Sequence, residues 1–518
     1  MCLLSSNKSL KKLAAFQYIA SGLLAFYSQH SIADEIASKA IERAVSAYGA
    51  EALMTMQQLS IKEQQLRYTK GQSGHAGEGA HGIALHKYNQ QLNIDFVNKN
   101  KVFKRSDQNL LGNYGYHTLV TLDRRFIEGK GAYIDHCLQT FQPSERIHWN
   151  SVGLGMEHGV DTLIVKQLAK HKKQVSSEGV AYIHGQAHDV LKYQQNNELH
   201  TVFINTDSGL VSRVIRKAGE QPTRYDFLVH TKNRIGITWA TEVMVSREQH
   251  PIAHVTERSL TMELPLSSAE LMPAKYKRRQ PVAYLDFEQP SVNQLADGVF
   301  LVGQGWSFTL FADIGKSYVS MGAWQMPGDK FTWQKRLEKL HQFTAEQKPV
   351  SHFIVTHHHD DHLMGLSEVV EHGAQLLMLP QHVNAVKASL SIPIDSSRLT
   401  LVRDALKVAN DKVQVFDVPS SHADHNLVVY LPEQKILFAE DMFGSSLARG
   451  FHSPNSWPSR DVYYRTETLN KKLQSVRVDV AQYVSSHHGR VLSKNEFNQA
   501  LSLTCPSDDV LKQRLFGS

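Results

Sequence analysis

The run Val355-Thr356-His357-His358-His359-Asp360-Asp361-His362 constrains this chain more than any other stretch. It continues the apolar triplet Phe353-Ile354-Val355, which reads as a short buried strand. His357 and His359 stand one residue apart, so an extended or turning segment can aim both imidazoles at one ion. Asp361 and His362 follow in the next turn and can face a second ion. Imidazole and carboxylate suit zinc, and also iron or manganese. The bland alternative is a histidine-rich surface loop. With 28 histidines in the chain, a single pair would mean little. An ordered set of four behind an apolar strand is harder to reach by accident.

The length of 518 residues implies more than one domain. The net charge of +6 is spread without a basic block or a basic-aromatic array, which argues against a nucleic-acid partner. Residues 1–33 read as a signal peptide. Lys8, Lys11 and Lys12 precede an apolar run over 13–27, and Ser31-Ile32-Ala33 is a small-x-small cleavage site. The expectation is a periplasmic or secreted protein starting at Asp34. Cleavage leaves only Cys137 and Cys505, so the chain is not a disulfide scaffold, although one bridge is permitted.

From Asp34 to Tyr48, Ile36, Ala37, Ala40, Ile41, Ala44, Val45 and Tyr48 recur at helical spacing, with Gly49 as C-cap. A short helix is expected over 51–56. Alternation then predicts strands around 92–96 and over 200–205, 211–217, 224–230, 235–242 and 254–263. Thr206-Asp207-Ser208-Gly209 reads as a hairpin turn. The glycine-rich stretch 71–82 reads as a loop. Residues 34–273 are therefore expected to form helices plus an antiparallel sheet. Residues 274–281, basic and bounded by prolines, read as a linker, and 282–518 as a second domain. There strand and helix alternate, as in a layered α/β fold, with an amphipathic helix over 333–342.

The N-terminal segments Ala44-Val45-Ser46-Ala47-Tyr48-Gly49-Ala50-Glu51-Ala52-Leu53 and Thr206-Asp207-Ser208-Gly209-Leu210-Val211-Ser212-Arg213 resemble outer-membrane lipoprotein carriers. That resemblance implies a curved sheet with a cavity for acyl chains. A structural or dimerising domain is the alternative.

The pattern His357-x-His359-x-Asp361-His362 resembles the signature of the metallo-β-lactamase superfamily, and the likeness extends over 282–501. It implies an αββα sandwich with two metal ions, expected to be Zn2+, at one edge of its two sheets. Three further ligands follow from the resemblance. His422 takes the position ahead of a strand, with His425 as competitor. Asp441 takes the bridging position, with Glu440 in place of the usual glycine. His488 takes the last position, with His487 as second choice. His357, His359 and His422 would hold one ion, and Asp361, His362 and His488 the other. Asp361 would also orient a metal-bound hydroxide and carry a proton to the leaving group.

Two departures accompany these matches. Met364 replaces a glycine that usually follows the motif, and Tyr318-Val319-Ser320-Met321-Gly322-Ala323 lacks an aspartate the family often has there. Residues 449–464 are a candidate pocket loop. An aspartate at 441, where one β-lactamase subclass has cysteine, resembles the lactonase, thioesterase and general hydrolase branches. The expected function is a secreted dinuclear hydrolase cleaving an ester, lactone, thioester or amide-type bond. Its substrate would be a small, acylated or lipid-like molecule, met in solution or at a membrane surface. The alternatives are a non-haem iron redox enzyme and a lipid-binding periplasmic protein with a structural metal domain.

Overall fold

The computed structural model describes residues 35–70, 83–110, 119–195, 197–262, 273–279, 289–305, 307–325, 330–420, 422–443, 459–487, 489, 491–502 and 506–517. The expected signal peptide, the stretch 71–82, Cys505 and His488 lie outside these residues, as does the part of the expected pocket loop up to 458. Two compact units are present. One takes in the described residues of 1–66, 92–98 and 153–265, and the other those of 67–91, 99–152 and 266–518.

In the first unit the helix over 35–47 buries Ala37, Ala40, Ile41 and Ala44, the stripe the spacing predicts. Ile36 stays exposed. Gly49 ends the segment at φ +109°, and a Cβ there would meet the Gly236 carbonyl oxygen at 2.9 Å. The short helix expected over 51–56 is present as Glu51–Thr55. A longer one, Asp161–Lys170, was not apparent in the sequence. The helices 35–47 and Asp161–Lys170 are tied to one strand. Thr238 Oγ1 donates to the Ala47 carbonyl at 2.7 Å, and Thr162 Oγ1 donates to the Thr238 carbonyl at 2.8 Å.

The strands Ser176–Ile183, Gln186–Gln195, Glu198–Asn205, Val211–Lys217, Thr223–Lys232, Thr238–Arg247 and His250–Thr261 form an antiparallel meander. The hairpin turn predicted at Thr206-Asp207-Ser208-Gly209 is present, with Gly209 at φ +71° and its N–H on the Asn205 carbonyl at 2.9 Å. The strand expected at 235–242 starts later because Asn233 closes a turn. Its side chain accepts the Ile237 N–H at 2.9 Å, and Gly236 takes φ +87°.

The second unit contains the strands Asn100–Asn109, Leu119–Ile127, Lys130–Asp135 and Thr140–Pro143, none of them apparent in the sequence. Polar side chains conceal them. Asp123 and Arg125 are buried as an ion pair at 2.7 Å, and His136 lies 2.9 Å from the same carboxylate. Inward positions that are charged break the apolar alternation on which a strand reading depends. These strands group with the C-terminal half because the terminal helix Asp508–Phe516 packs on them. Leu511 joins Leu119 and Cys137 in one cluster, and Arg514 Nη1 donates to the His136 carbonyl at 2.8 Å. The expected linker is also partly structured. Lys277–Arg278 pairs in parallel with Thr140–Pro143, because Lys277 N–H and Arg279 N–H reach the Gln139 and Phe141 carbonyls.

The rest of this unit is a sandwich of two sheets. The first runs in the order Ser291–Ala296, Val299–Gln304, Ser307–Asp313, Tyr318–Met321, Val350–Ile354, Gln375–Met378 and Leu399–Leu401. The second runs Leu406–Val408, Val413–Asp417, Leu427–Leu431, Ile436–Phe438, Gln482–Val484 and Val491–Ser493. Alternation sorts side chains into three cores. Leu301, Leu310 and Ile354 meet Val415, Val429 and Phe438 between the sheets. Phe311 and Phe353 point the other way, against Trp333, Leu337 and Leu340 of the helix Trp333–Thr344. Val428, Leu437 and Tyr483 face Leu469, Leu473 and Phe497 from two later helices. Three cores between four layers make an αββα arrangement. Strands buried on both faces explain the continuous apolar runs. Among the described residues no helix is long and apolar enough to cross a membrane.

Candidate metal centre

The two sheets are linked near one edge. Phe308 N–H donates to the Ser486 carbonyl at 2.9 Å, and Leu427 N–H donates to the Thr356 carbonyl at 2.7 Å. Every candidate ligand among the described residues leaves a strand end near these links. Beyond the strand Val350–Ile354, residues 355–359 form an irregular segment that carries His357 and His359. The chain then turns into the short helix Asp360–Leu363, which brings Asp361 and His362 round. His422 lies in the loop leading to Leu427–Leu431, and Asp441 in a single 3-10 turn after Ile436–Phe438.

Two groups result. Ligand atoms of His357, His359, His422 and Asp441 lie within 4.8 Å of one another, as do those of Asp361, His362 and His487. Asp441 sits between them. Its Oδ2 is 2.9 Å from His422 Nε2 and 3.1 Å from His362 Nε2, while its Oδ1 is 2.7 Å from His487 Nε2. His357 Nε2 and His422 Nε2 face each other at 3.2 Å.

The expected residues His357, His359, Asp361, His362, His422 and Asp441 are thus brought together. His488 lies outside the described residues, and its neighbour His487 occupies the last position of the cluster. His425 is drawn away, with Nδ1 2.7 Å from Asp417 Oδ2.

Burial, reinforced by neighbouring imidazoles, holds His357 and His359 well below the ordinary histidine range. Neutral rings present lone pairs at neutral pH. Burial works to raise the Asp441 pKa, but His362, His487 and His422 outweigh it and keep the carboxyl well below the carboxylate range. For His362 burial works downward, and Asp441, Asp361 and Glu440 outweigh it, holding the ring well above its usual value. Neutral imidazoles converging beside a buried carboxylate are a donor set that fits divalent cations.

Three further residues support the site. Trp324 Nε1–H donates to Asp361 Oδ2 at 2.8 Å, and its ring lies 4.6 Å from that of His487. Arg336, fully buried, donates through Nη2 to the Trp324 carbonyl at 3.1 Å and through Nη1 to Thr309 Oγ1 at 3.0 Å. Glu440 Oε1 lies 2.8 Å from His362 Nδ1. Arg336 was detectable in the sequence: within 333–342 it shares the apolar face of Trp333, Leu337 and Leu340, where a cation is out of place. Trp324 carried no such signal.

No family model matches the chain. A hydroxyacylglutathione hydrolase of Rhodopseudomonas palustris (strain HaA2) is 26% identical over 108 residues, 20% of this chain and 40% of that protein. A metallo-β-lactamase type 2 of Bacillus sp. (strain 170) is 27% identical over 179 residues, 33% of this chain and 65% of that protein. The chain therefore spans between two fifths and two thirds of the length of these relatives. Among solved structures, the FIM-1 metallo-β-lactamase from Pseudomonas aeruginosa covers 43% of this chain at 19% identity and a TM-score of 0.33. A metallo-β-lactamase from Pontibacter korlensis covers 42% at 22% identity and a TM-score of 0.32. The similarity to curated relatives supports the metallo-β-lactamase superfamily for this chain.

Proposed function

We propose that the chain is a metal-dependent hydrolase that holds two metal ions and cleaves an ester, lactone, thioester or amide-type bond. The position of Asp441 carries this reading, with one carboxylate oxygen toward His422 and His362 and the other toward His487. The names of its relatives, a hydrolase and a metallo-β-lactamase, support it. His357, His359 and His422 would hold one ion, Asp361, His362 and His487 the other, and Asp441 both. Zinc suits this donor set, with iron or manganese as alternatives. When bound, such ions supply a Lewis acid and make water a nucleophile near neutral pH.

The chain's own groups do the rest. Asp361 is about a third exposed at its side chain, unlike the deeply buried Asp441. It can therefore reach both the site and incoming solvent. The Trp324 N–H donates to its Oδ2 and sets the plane of the carboxylate, which would take a proton and return it to a leaving group.

The rest of the reading rests on sequence. Residues 1–33 would be removed on export to the periplasm or beyond. The lipoprotein-carrier resemblance favours an acylated or lipid-like substrate. Metal quantification of the purified protein, run with a panel of ester, lactone, thioester and lactam probes of increasing acyl length, tests the proposal. Two metal equivalents and turnover of at least one probe class are expected. Activity untouched in Asp441→Ala and His359→Ala would end the hydrolase reading.

A further inference from the structure

Glu440 is fully buried and adopts φ +45°, in the left-handed region that favours glycine. An acid in that place has two local disadvantages, its torsion and its burial. Its contacts supply the reason for it. Oε1 lies 2.8 Å from His362 Nδ1, and Oε2 accepts the Ser486 N–H at 3.3 Å. The other ring nitrogen, His362 Nε2, lies 3.1 Å from Asp441 Oδ2 and 3.5 Å from Asp361 Oδ2. With Nε2 turned to the centre, a proton on Nδ1 would face Glu440. A carboxylate on the far nitrogen of a ligating histidine fixes the tautomer and ring plane and strengthens the donor.

We propose that Glu440 is a positioning residue that pins His362 as an Nε2 donor and places an extra negative charge behind the Asp361–His362–His487 group. The second metal is held more tightly than its direct ligands alone would hold it. This inference rests on the two-metal reading. A plain structural latch, joining the turn at Glu440–Met442 to Ser486, is the competing account.

The test uses the purified full chain, stripped of metal and titrated with Zn2+, with Glu440→Gly and Glu440→Gln beside the wild type. The first Zn2+ equivalent should bind alike in all three. The second should weaken about 10- to 100-fold in Glu440→Gly. It should weaken less in Glu440→Gln, whose amide oxygen still accepts the Nδ1–H but bears no charge. Nitrogen-15 spectra should show the His362 Nδ1 proton in the wild type and lose it in Glu440→Gly. The metal-free Glu440→Gly chain should melt no lower than wild type, since glycine adopts φ +45° freely. If Glu440→Gly fails to fold, Glu440→Gln alone decides. Wild-type affinity for the second Zn2+ in the folded variants overturns the inference and leaves the two-metal reading standing. A wild type that takes up no second equivalent overturns both.

Discussion

The indole N–H of Trp324 donates to Asp361 Oδ2 at 2.8 Å, joining the turn after the strand Tyr318–Met321 to the metal-ligand motif. Hydrogen bonds to charged groups contribute roughly 1.5–3 kcal/mol, or about 10- to 100-fold in a rate or equilibrium constant. Trp324→Phe keeps the ring and removes the donor. It should lower kcat of the active probe by at least about tenfold, with metal content unchanged by elemental analysis. An unaltered kcat would show that Asp361 needs no such orientation.

Asp441→Ala removes the carboxylate that lies between both ligand groups. The imidazoles would then converge without the anion that offsets bound charge. Elemental analysis should find one metal equivalent or fewer. Turnover should fall by roughly 10³-fold or more, as expected when several kcal/mol of transition-state stabilisation are lost. Two retained equivalents would remove Asp441 from the bridging role.

Arg336 reaches the Trp324 carbonyl, Thr309 Oγ1, Ser307 Oγ and the Phe331 carbonyl from a fully buried position. Arg336→Ala leaves these acceptors without their cation and opens a cavity behind the Trp324 turn. A loss of about 2–4 kcal/mol in urea unfolding is expected. A loss below about 1 kcal/mol would show that the site edge is held by other contacts.

His200 stacks on Tyr193 with ring centroids 4.7 Å apart. Burial, with His158 and Arg216 adding to it and Glu198 opposing, lowers its pKa to about 4. The folded value lies below the unfolded one of about 6.5. The folded state therefore resists protonation. This group's contribution is complete above pH about 6.5 and declines as pH falls from there toward 4, by about 2–3 kcal/mol. His200→Gln should flatten the fall in unfolding free energy over that window relative to wild type. Parallel pH profiles for the two chains would remove His200 as the cause.

Cys137 is disulfide-bonded. Leu511 packs against it and Arg514 reaches the neighbouring His136 carbonyl, so the C-terminal segment lies alongside. Peptide mapping without reductant should find Cys137 joined to Cys505. Reduction should lower stability by about 2–4 kcal/mol. A free thiol at Cys137 in the purified, unreduced protein would contradict this pairing.

Much of the centre was legible in the sequence because its ligands sit at strand ends. His357, His359, Asp361 and His362 fall within six residues, so local backbone geometry alone nearly brings them together. His422 and Asp441 could be located only through the family resemblance, which expects a ligand beside each of the apolar strands 427–431 and 436–438. The choice between His487 and His488 was not legible. Both follow the same apolar strand, and among the described residues the structure places His487 in the cluster. The backbone bridge between Ser307 and His487 belongs to a strand far away in sequence.

The sequence by itself determined a layered α/β alternation and the ligand types and order within 357–362, because apolar periodicity and metal-ligand spacing are short-range properties. The αββα class and the later ligands were what the family resemblance implied. Only the tertiary structure decided what stands behind the ligands. The Trp324 contact to Asp361, the Arg336 contact to the Trp324 carbonyl and the Glu440 contact to His362 each join residues 12 to 78 positions apart. No local pattern encodes such pairs. They arise when the two sheets close on one another and a buried charge must find its partner in the space that closure leaves.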